Sequence, residues 1–510
     1  MTDTIEPADD LVEAAGYPPG QGWMKKGYDP RLANEDLAPL EHQSWSSYNL
    51  FAFWMSDVHS VGGYVTAGSL FMLGLTSWQV FVALIVGICL VQFFCNLVAK
   101  PSQVAAVPYP VISRASFGVL GANIPAIIRG LIAVAWYGVQ TFLAAGSLTI
   151  VILKLWPGLS DLATQDNSFL GLSYLGYVSF AILWVAQALV FWRGMEAIRK
   201  FIDFCGPAVY VAMIILCGYM LVRADWDISL TLSDQNLSTG EQVTAMLGAI
   251  ALVVSYFSGP MLNFGDFSRY GKSFDAVKKG NFWGLPVNFV VFSLLVVLTA
   301  SATVPVFGEL ITDPVHTVER IDTYTAVLLG GLTFVIATVG INIVANFISP
   351  AFDFSNVAPQ KISWRMGGMI AAVGSVLLTP WNWYSNADAI FWTLGMLGAL
   401  IGPLFGILIA DYYVIRKQKV VVDDLFTLDE DGEYYYEKGY NPAAVYSVVI
   451  AGVIAIVSVV IPKLFDVVTW LPDYSWFLGC GLGFAIYYAF AVKLDVAGFA
   501  SGREPARVES

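Results

Sequence analysis

The stretch Trp54-Met55-Ser56-Asp57-Val58-His59-Ser60-Val61-Gly62-Gly63 (residues 54–63) sets an acid, an imidazole and a glycine pair inside an apolar run over 49–74. A helix needs about 20 apolar residues to cross a bilayer, so the run is long enough and its polar residues fall near the middle. An ionisable side chain at that depth costs about 3 kcal/mol or more unless it is paired or faces water. A second interruption, Ser255-Tyr256-Phe257-Ser258-Gly259-Pro260, lies in the run 241–264. Proline there removes a donor and frees backbone groups from the helix ladder. Alone, either feature reads as a kink. Together, at the first and sixth runs of a long series, they point to paired broken helices around a site near the membrane midplane.

The remainder of the chain supports a membrane reading. Of 510 residues, 57% are hydrophobic and 13% charged, against about a quarter charged in soluble domains. Twelve windows are long enough to span: 49–74, 77–99, 124–153, 170–192, 199–222, 241–264, 281–305, 326–350, 366–384, 389–413, 443–462 and 470–493. An all-α integral membrane bundle is expected, because continuous apolar runs lack the alternation of a barrel strand. The polar, acidic opening 1–41 has no cleavable leader pattern, so the first apolar run is expected to act as its own insertion signal. The net charge of −13 gathers in that tail and in Asp423, Asp424, Asp429, Glu430, Asp431 and Glu433. With no basic domain, nucleic acid is not an expected partner. The five cysteines (Cys89, Cys95, Cys205, Cys217, Cys480) sit in apolar segments without metal-ligand spacing, so no cofactor or disulfide is expected.

Lysine and arginine set the orientation. One face collects Lys100, Arg114, Arg193, Arg199, Lys200, Arg269, Lys272, Lys278, Lys279, Lys361, Arg365, Arg416, Lys417, Lys419 and Lys438; the other has Lys154, Arg223, Arg320 and Lys463. Both termini are therefore expected in the cytoplasm, in a multi-pass inner or plasma membrane protein.

Two further spans carry candidate ligands. Trp136 and Gln140, four residues apart in Ala135-Trp136-Tyr137-Gly138-Val139-Gln140, share a helix face. An indole beside a primary amide suits a flat heterocycle, stacked on the ring and bonded at its edge. A packed tryptophan with an interhelical amide bond is the competing reading. Asn342 and Asn346 share a face of the eighth span in the same way, and two amides in an apolar run demand partners.

These motifs resemble the nucleobase:cation symporter-1 family, permeases for uracil, cytosine, allantoin, hydantoins and related compounds. The resemblance rests on WYGVQ (136–140), NFGDFSRY (263–270), NIVANFISP (342–350), GPLFGILIADYYVIRK (402–417) and PYPVISRASFGVLGANIPAIIR (108–129). It implies a five-plus-five inverted-repeat transporter fold, with the first repeat over 42–222, the second over 223–418, a cytoplasmic loop over 419–442 and two appended spans over 443–494. Tails 1–41 and 495–510 flank them. It also implies a substrate site in which Trp136 stacks, Gln140 and Asn346 hydrogen-bond, Phe257 on an unwound sixth span covers the other ring face, and Ser60 adds a polar contact.

For the coupling ion, the resemblance places sodium-site carbonyls at Ser56, His59 and Ala337 and hydroxyl positions at Gly340 and Ile341, which have none. A hard cation needs several oxygen ligands. Asp57 and His59 flank the break, and histidine titrates near neutral pH, so H+ is expected to be the coupled ion in place of Na+. The expected function is import of a nucleobase-like heterocycle with a cation, by a monomer in a lipid bilayer. The alternatives are a permease of the same fold for thiamine or an amino-acid-like solute, and a non-transporting receptor. Scattered histidines (His42, His59, His316) argue against an enzyme, and no filter-like run suggests a channel. The acidic stretch Asp423–Tyr440 reads as a solvated linker, and the tail before Glu41 as flexible apart from a helix near its end.

Overall fold

Backbone groups in hydrocarbon have no water to bond, so each crossing closes its hydrogen bonds along its own axis. The computed structural model describes residues 26–193, 195–230, 237–384 and 386–498; positions 1–25 and 499–510 of the two tails lie outside the described residues. Among the described residues, nine helices are long and apolar enough to cross a membrane: Ser77–Ala105, Asn123–Leu155, Tyr174–Trp192, Thr239–Leu262, Phe274–Phe307, Tyr324–Val357, Ala387–Ile415, Pro442–Phe465 and Leu471–Lys493. Three further spans come from interrupted or shorter apolar helices: Ser47–Val58 with Val61–Ser69, Met195–Arg223 and Trp364–Leu377. Twelve spans result, numbered here in chain order. An even number leaves both tails on one side, here termed the terminal side.

The second span packs on the sixth and seventh, and the first on the seventh. The third packs on the fourth, eighth and ninth. The fifth leans on the first, seventh and eighth, and the tenth on the sixth, eleventh and twelfth. Spans one, two, six and seven thus form one group, and three, four, eight and nine another. Members correspond at intervals of five, as two five-span repeats require.

The first span breaks where the sequence suggests. Its helix stops at Val58, His59 and Ser60 leave helical geometry (φ −89°, ψ 54° and φ −103°, ψ 156°), and a new helix starts at Val61. Ser60 Oγ accepts from the Gly63 amide at 3.0 Å and caps that start.

The sixth span differs from expectation. It is not unwound at 255–260 but helical from Thr239 to Leu262, with Pro260 inside it. The proline sits in the last turn, where its missing N–H costs the ladder one bond and the chain is about to leave the helix anyway. Wide π-turns appear instead in the seventh (Trp283–Val287), eighth and tenth (Ala410–Ile415) spans; that of the eighth, Val344–Ile348, separates Tyr324–Ile343 from Ser349–Val357. Such turns recur at functional sites. Several boundaries also move, the seventh span starting at Phe274 and the eighth ending at Val357. The ninth span ends at Leu377, because Thr379 turns into a left-handed conformation (φ 46°) ahead of Pro380. The fourth begins at Tyr174, after a two-stranded hairpin pairing Ser168–Phe169 with Leu172–Ser173.

Two terminal-side segments, the 419–441 loop and residues 26–41 of the tail, pack against the spans where a solvated linker and a flexible stretch were expected. Leu425, Phe426 and Tyr434 of the 419–441 loop are buried, as are Leu32 and Leu37 before the first span; residues 27–41 of the tail form turns and no helix. The reason is ionic. Arg416 bonds Asp411 at 3.1 Å and Glu433 at 2.7 Å with its guanidinium over the Tyr434 ring, while Asp411 also accepts from Ser116 (3.0 Å) and Tyr487 (2.6 Å). Arg114 donates to the carbonyls of Leu32 (2.8 Å) and Leu425 (2.9 Å) and to Asn356 Oδ1 (2.6 Å). One buried cation thus fastens the tail, another the loop.

Replacing Arg416 strands a carboxylate that is 1% exposed. Arg416→Ala is expected to lower stability by about 3–5 kcal/mol, seen as a clear drop in the unfolding midpoint of purified protein in detergent. Asp429→Asn on the exposed turn of the same loop should leave the midpoint in place.

Candidate functional site

A small cavity lies where the break in the first span, the third span, the end of the sixth and the π-turn of the eighth meet. Asp57, Trp136, Gln140, Tyr256 and Asn346 line it, with Arg129 on the terminal side and Pro260, Ile341 and Ala345 completing the wall. The free space is about 30 Å³, room for water but not for a heterocyclic ring. The structure is a closed one, with its side chains drawn together.

Helix spacing places the first pair. Trp136 and Gln140 face the cavity from the third span, one turn apart. The indole is held edge-on by Tyr256 (ring centroids 5.4 Å, 83°) and by Tyr384 (5.6 Å, 63°). Tyr384 in turn lies 2.5 Å from Thr66 Oγ1 on the outer half of the first span. Gln140 presses on the backbone of Gly62; a Cβ at that position would come within 2.7 Å of Gln140 Nε2. Glycine there lets the amide reach the break. Gln140 Oε1 is buried without a hydrogen-bond partner.

The two eighth-span amides divide their work. Asn342 Nδ2 donates to Tyr137 O (3.0 Å), Thr141 Oγ1 (3.0 Å) and Gln187 Oε1 (2.7 Å), tying the eighth span to the third and fourth. Asn346 reaches the cavity wall and donates to Asn342 Oδ1 at 2.9 Å. Asn342 is a structural tie; Asn346 is the amide beside the cavity.

Several expected site residues lie elsewhere. Phe257 does not face Trp136. It packs against Phe289 (5.6 Å) and Tyr256 (5.0 Å) and lines a separate apolar pocket with Leu84 and Phe292. Because the sixth span stays helical, its neighbour Tyr256 points at the indole, about 100° away around the helix. Ser60 is buried at the break, capping Gly63 and 3.4 Å from the Tyr256 hydroxyl. His59 also turns from the cavity: Nδ1 lies 2.8 Å from Tyr64 OH, Nε2 3.2 Å from Asn288 Oδ1, and its ring 4.0 Å from that of Tyr210. Asp57 alone of the ionisable pair lines the cavity.

Of the positions weighed for sodium, Ser56, Ala337, Gly340 and Ile341 are all buried. Ile341 presents its hydrocarbon chain to the cavity. The hydroxyl near the break belongs to Thr338, whose Oγ1 lies 3.4 Å from the Val61 amide. The side chains at 340 and 341 therefore do not fit a hard cation, which asks for several oxygens. Among the described residues, no group of three or more His, Cys, Asp or Glu side chains stands ready for a metal.

Tyr256, Tyr384 and Arg129 were not among the expected site residues. Arg129 carried a signal, an ionisable residue inside an apolar run seven positions before Trp136. Tyr384 carried none, since only the fold brings the start of the tenth span over the third.

Residues 38–479 match the family described as permeases for cytosine/purines, uracil, thiamine and allantoin. The chain is 34% identical over 467 residues to the allantoin permease of Bacillus subtilis (strain 168), covering 90% of this chain and 92% of that one. It is 30% identical over 442 residues to the purine-uracil permease NCS1 of Arabidopsis thaliana, covering 86% and 73%. Its fold matches that of Mhp1, a nucleobase-cation-symport-1 family transporter solved in a closed conformation with bromovinylhydantoin bound, at a TM-score of 0.74 and 21% identity over 93% of this chain and 98% of Mhp1. With a family match across most of its length, the chain belongs to the nucleobase:cation symporter-1 family of membrane permeases.

Proposed function

We propose that the protein imports a small, flat amide–imide heterocycle of the uracil, allantoin or hydantoin type together with a cation, H+ in preference to Na+. The observation that carries this reading is Gln140. Asn342 spends its amide on three structural partners, whereas Gln140 keeps a buried, unpartnered oxygen at a cavity walled by an indole. A ring N–H would satisfy that oxygen, and Asn346 would read the rest of the edge, since an amide supplies both donor and acceptor. Trp136 would stack on the ring, with Tyr256 in place of Phe257 as the sixth-span aromatic beside it. The relatives named for allantoin and for purine and uracil support this substrate class.

The lysine and arginine bias assigns the terminal side to the cytoplasm. Entry from outside requires Tyr384 to part from Thr66; release requires the terminal side to open. Substrate and ion drive the exchange by binding the two states unequally. The protein would act as a monomer in the inner or plasma membrane. Proton coupling draws on the hydroxyl-free Gly340 and Ile341 and on Asp57, the acid at the cavity wall. His59, held by Tyr64 and Asn288, would serve the break.

In proteoliposomes, labelled uracil or allantoin should be concentrated by the intact protein, and Trp136→Ala should weaken binding about 5- to 150-fold, the ~1–3 kcal/mol of a base on an aromatic face. Unchanged affinity in that variant would refute the site. Replacing sodium with choline at fixed pH should leave uptake intact, while collapsing the proton gradient should abolish accumulation; uptake that needs sodium contradicts the proton reading.

A further inference from the structure

Seven residues toward the terminal side from Trp136 stands Arg129, and seven residues toward the same side from Asn346 stands Asp353. On the third span that is two turns, about 10 Å. Arg129 is 1% exposed and Asp353 fully buried. Arg129 Nη2 donates weakly to Asn263 Oδ1 (3.2 Å) and Ala345 O (3.5 Å), while its Nε and Nη1 have no partner. Neither oxygen of Asp353 has a partner, and among the described residues no ion pair joins it to Arg129. Both nevertheless lie within each other's electrostatic reach.

The nearby acid Asp266 is different. It accepts from the Tyr109 amide at 2.8 Å and from Asn263 Nδ2 at 3.1 Å, and so has the donors a buried carboxylate needs. Asp353 has none. A bare carboxylate in a dry interior, with Asp266 beside it, is untenable as an anion, and a neutral carboxyl is not. The other charged or titratable groups facing this region are Tyr109 from the loop after the second span, Arg269 over the Phe352 ring, and Asp57 across Arg129. None of them donates a hydrogen bond to Asp353.

We propose that Asp353 holds a proton in the closed state and that Asp353 and Arg129 are an ion pair waiting to form when the proton leaves. Opening of the cytoplasmic side admits water to Asp353. The carboxyl O–H breaks, its proton passes to that water, and the carboxylate keeps the electron pair. The guanidinium of Arg129, with Nε and Nη1 unpartnered, then turns so that Nε–H and Nη2–H, its side edge, close on the two oxygens, Nη2 giving up its weak bonds to Asn263 and Ala345; that fork suits a carboxylate. The pair stabilises the emptied state until a proton re-enters from the cavity side, where Asp57 and Arg129 share a wall. A sodium ion fits this place poorly, since the guanidinium beside it repels a metal cation but tolerates a neutral carboxyl. The inference rests on the proton-coupled reading above and adds a second station to it.

The test uses full-length protein in liposomes. Asp353→Asn mimics the protonated carboxyl. It should still exchange internal for external labelled uracil or allantoin, yet accumulate none in response to an inward proton gradient, a loss of at least tenfold. Infrared spectra at neutral pH should show a buried carboxylic C=O band in the wild type that is missing in Asp353→Asn. Gradient-driven accumulation at the wild-type level in Asp353→Asn overturns the proposal. Should that variant be inert in both assays, the infrared comparison decides: a wild-type band lost in the variant upholds the proposal, and no such band in the wild type overturns it. Wild-type protein that concentrates neither heterocycle refutes the proposed function itself; wild-type protein that does so only with sodium refutes the proton station while leaving the substrate site standing.

Discussion

Everything at the centre of this permease follows from one unsatisfied stretch of backbone, the break at His59–Ser60 midway across the membrane. In hydrocarbon a helix cannot stop without partners for its freed groups. Neighbours supply them: Ser60 caps the new helix, Thr338 approaches the Val61 amide, and His59 is fixed by Tyr64 and Asn288. The same break brings Gly62 under Gln140, and only a residue without a side chain allows that approach. Fold and site are therefore one problem solved once. A helix that ran straight through would bury Asp57 against lipid-like packing and leave no cavity wall to line.

Polar groups in the interior sort by whether they are saturated. Asn342, Gln187 and Thr141 bond one another and hold the third, fourth and eighth spans together. Asp411 and Arg416 do the same for the terminal-side cap. Among the buried side-chain atoms without a partner are Gln140 Oε1, Arg129 Nε and Nη1 and both oxygens of Asp353, which follow one another from the cavity toward the terminal side. Unmade bonds at buried sites are expensive, and those of Gln140, Arg129 and Asp353 are the ones that the proposed ligand and proton would complete.

Much of this was legible in the sequence. Span number follows from apolar length, and the first-span break from Asp57, His59 and the glycine pair, because both signals are local. Trp136 and Gln140 were legible as a pair because helix periodicity places them on one face. The sixth span was misjudged, since Pro260 looks like a break until its place in the last turn is known; with the helix intact, Tyr256 lies beside the Trp136 indole and Phe257, the position that the resemblance implies, packs against Phe289. The loop over 423–440 looked solvated because its acids were counted without Arg416, a partner that only the fold brings near. Tyr384 and the π-turn at Val344–Ile348 left no local trace.

The central claim is that a flat heterocycle replaces the collapsed contacts around Trp136. A structure of the protein with allantoin or uracil bound tests it most directly. The account predicts the ring stacked on the Trp136 indole, with a ring N–H donating to Gln140 Oε1 and Tyr256 displaced from its edge-on contact. A ring seated against Phe257 in the apolar pocket beside Phe289, with Gln140 Oε1 still unpartnered, would contradict it.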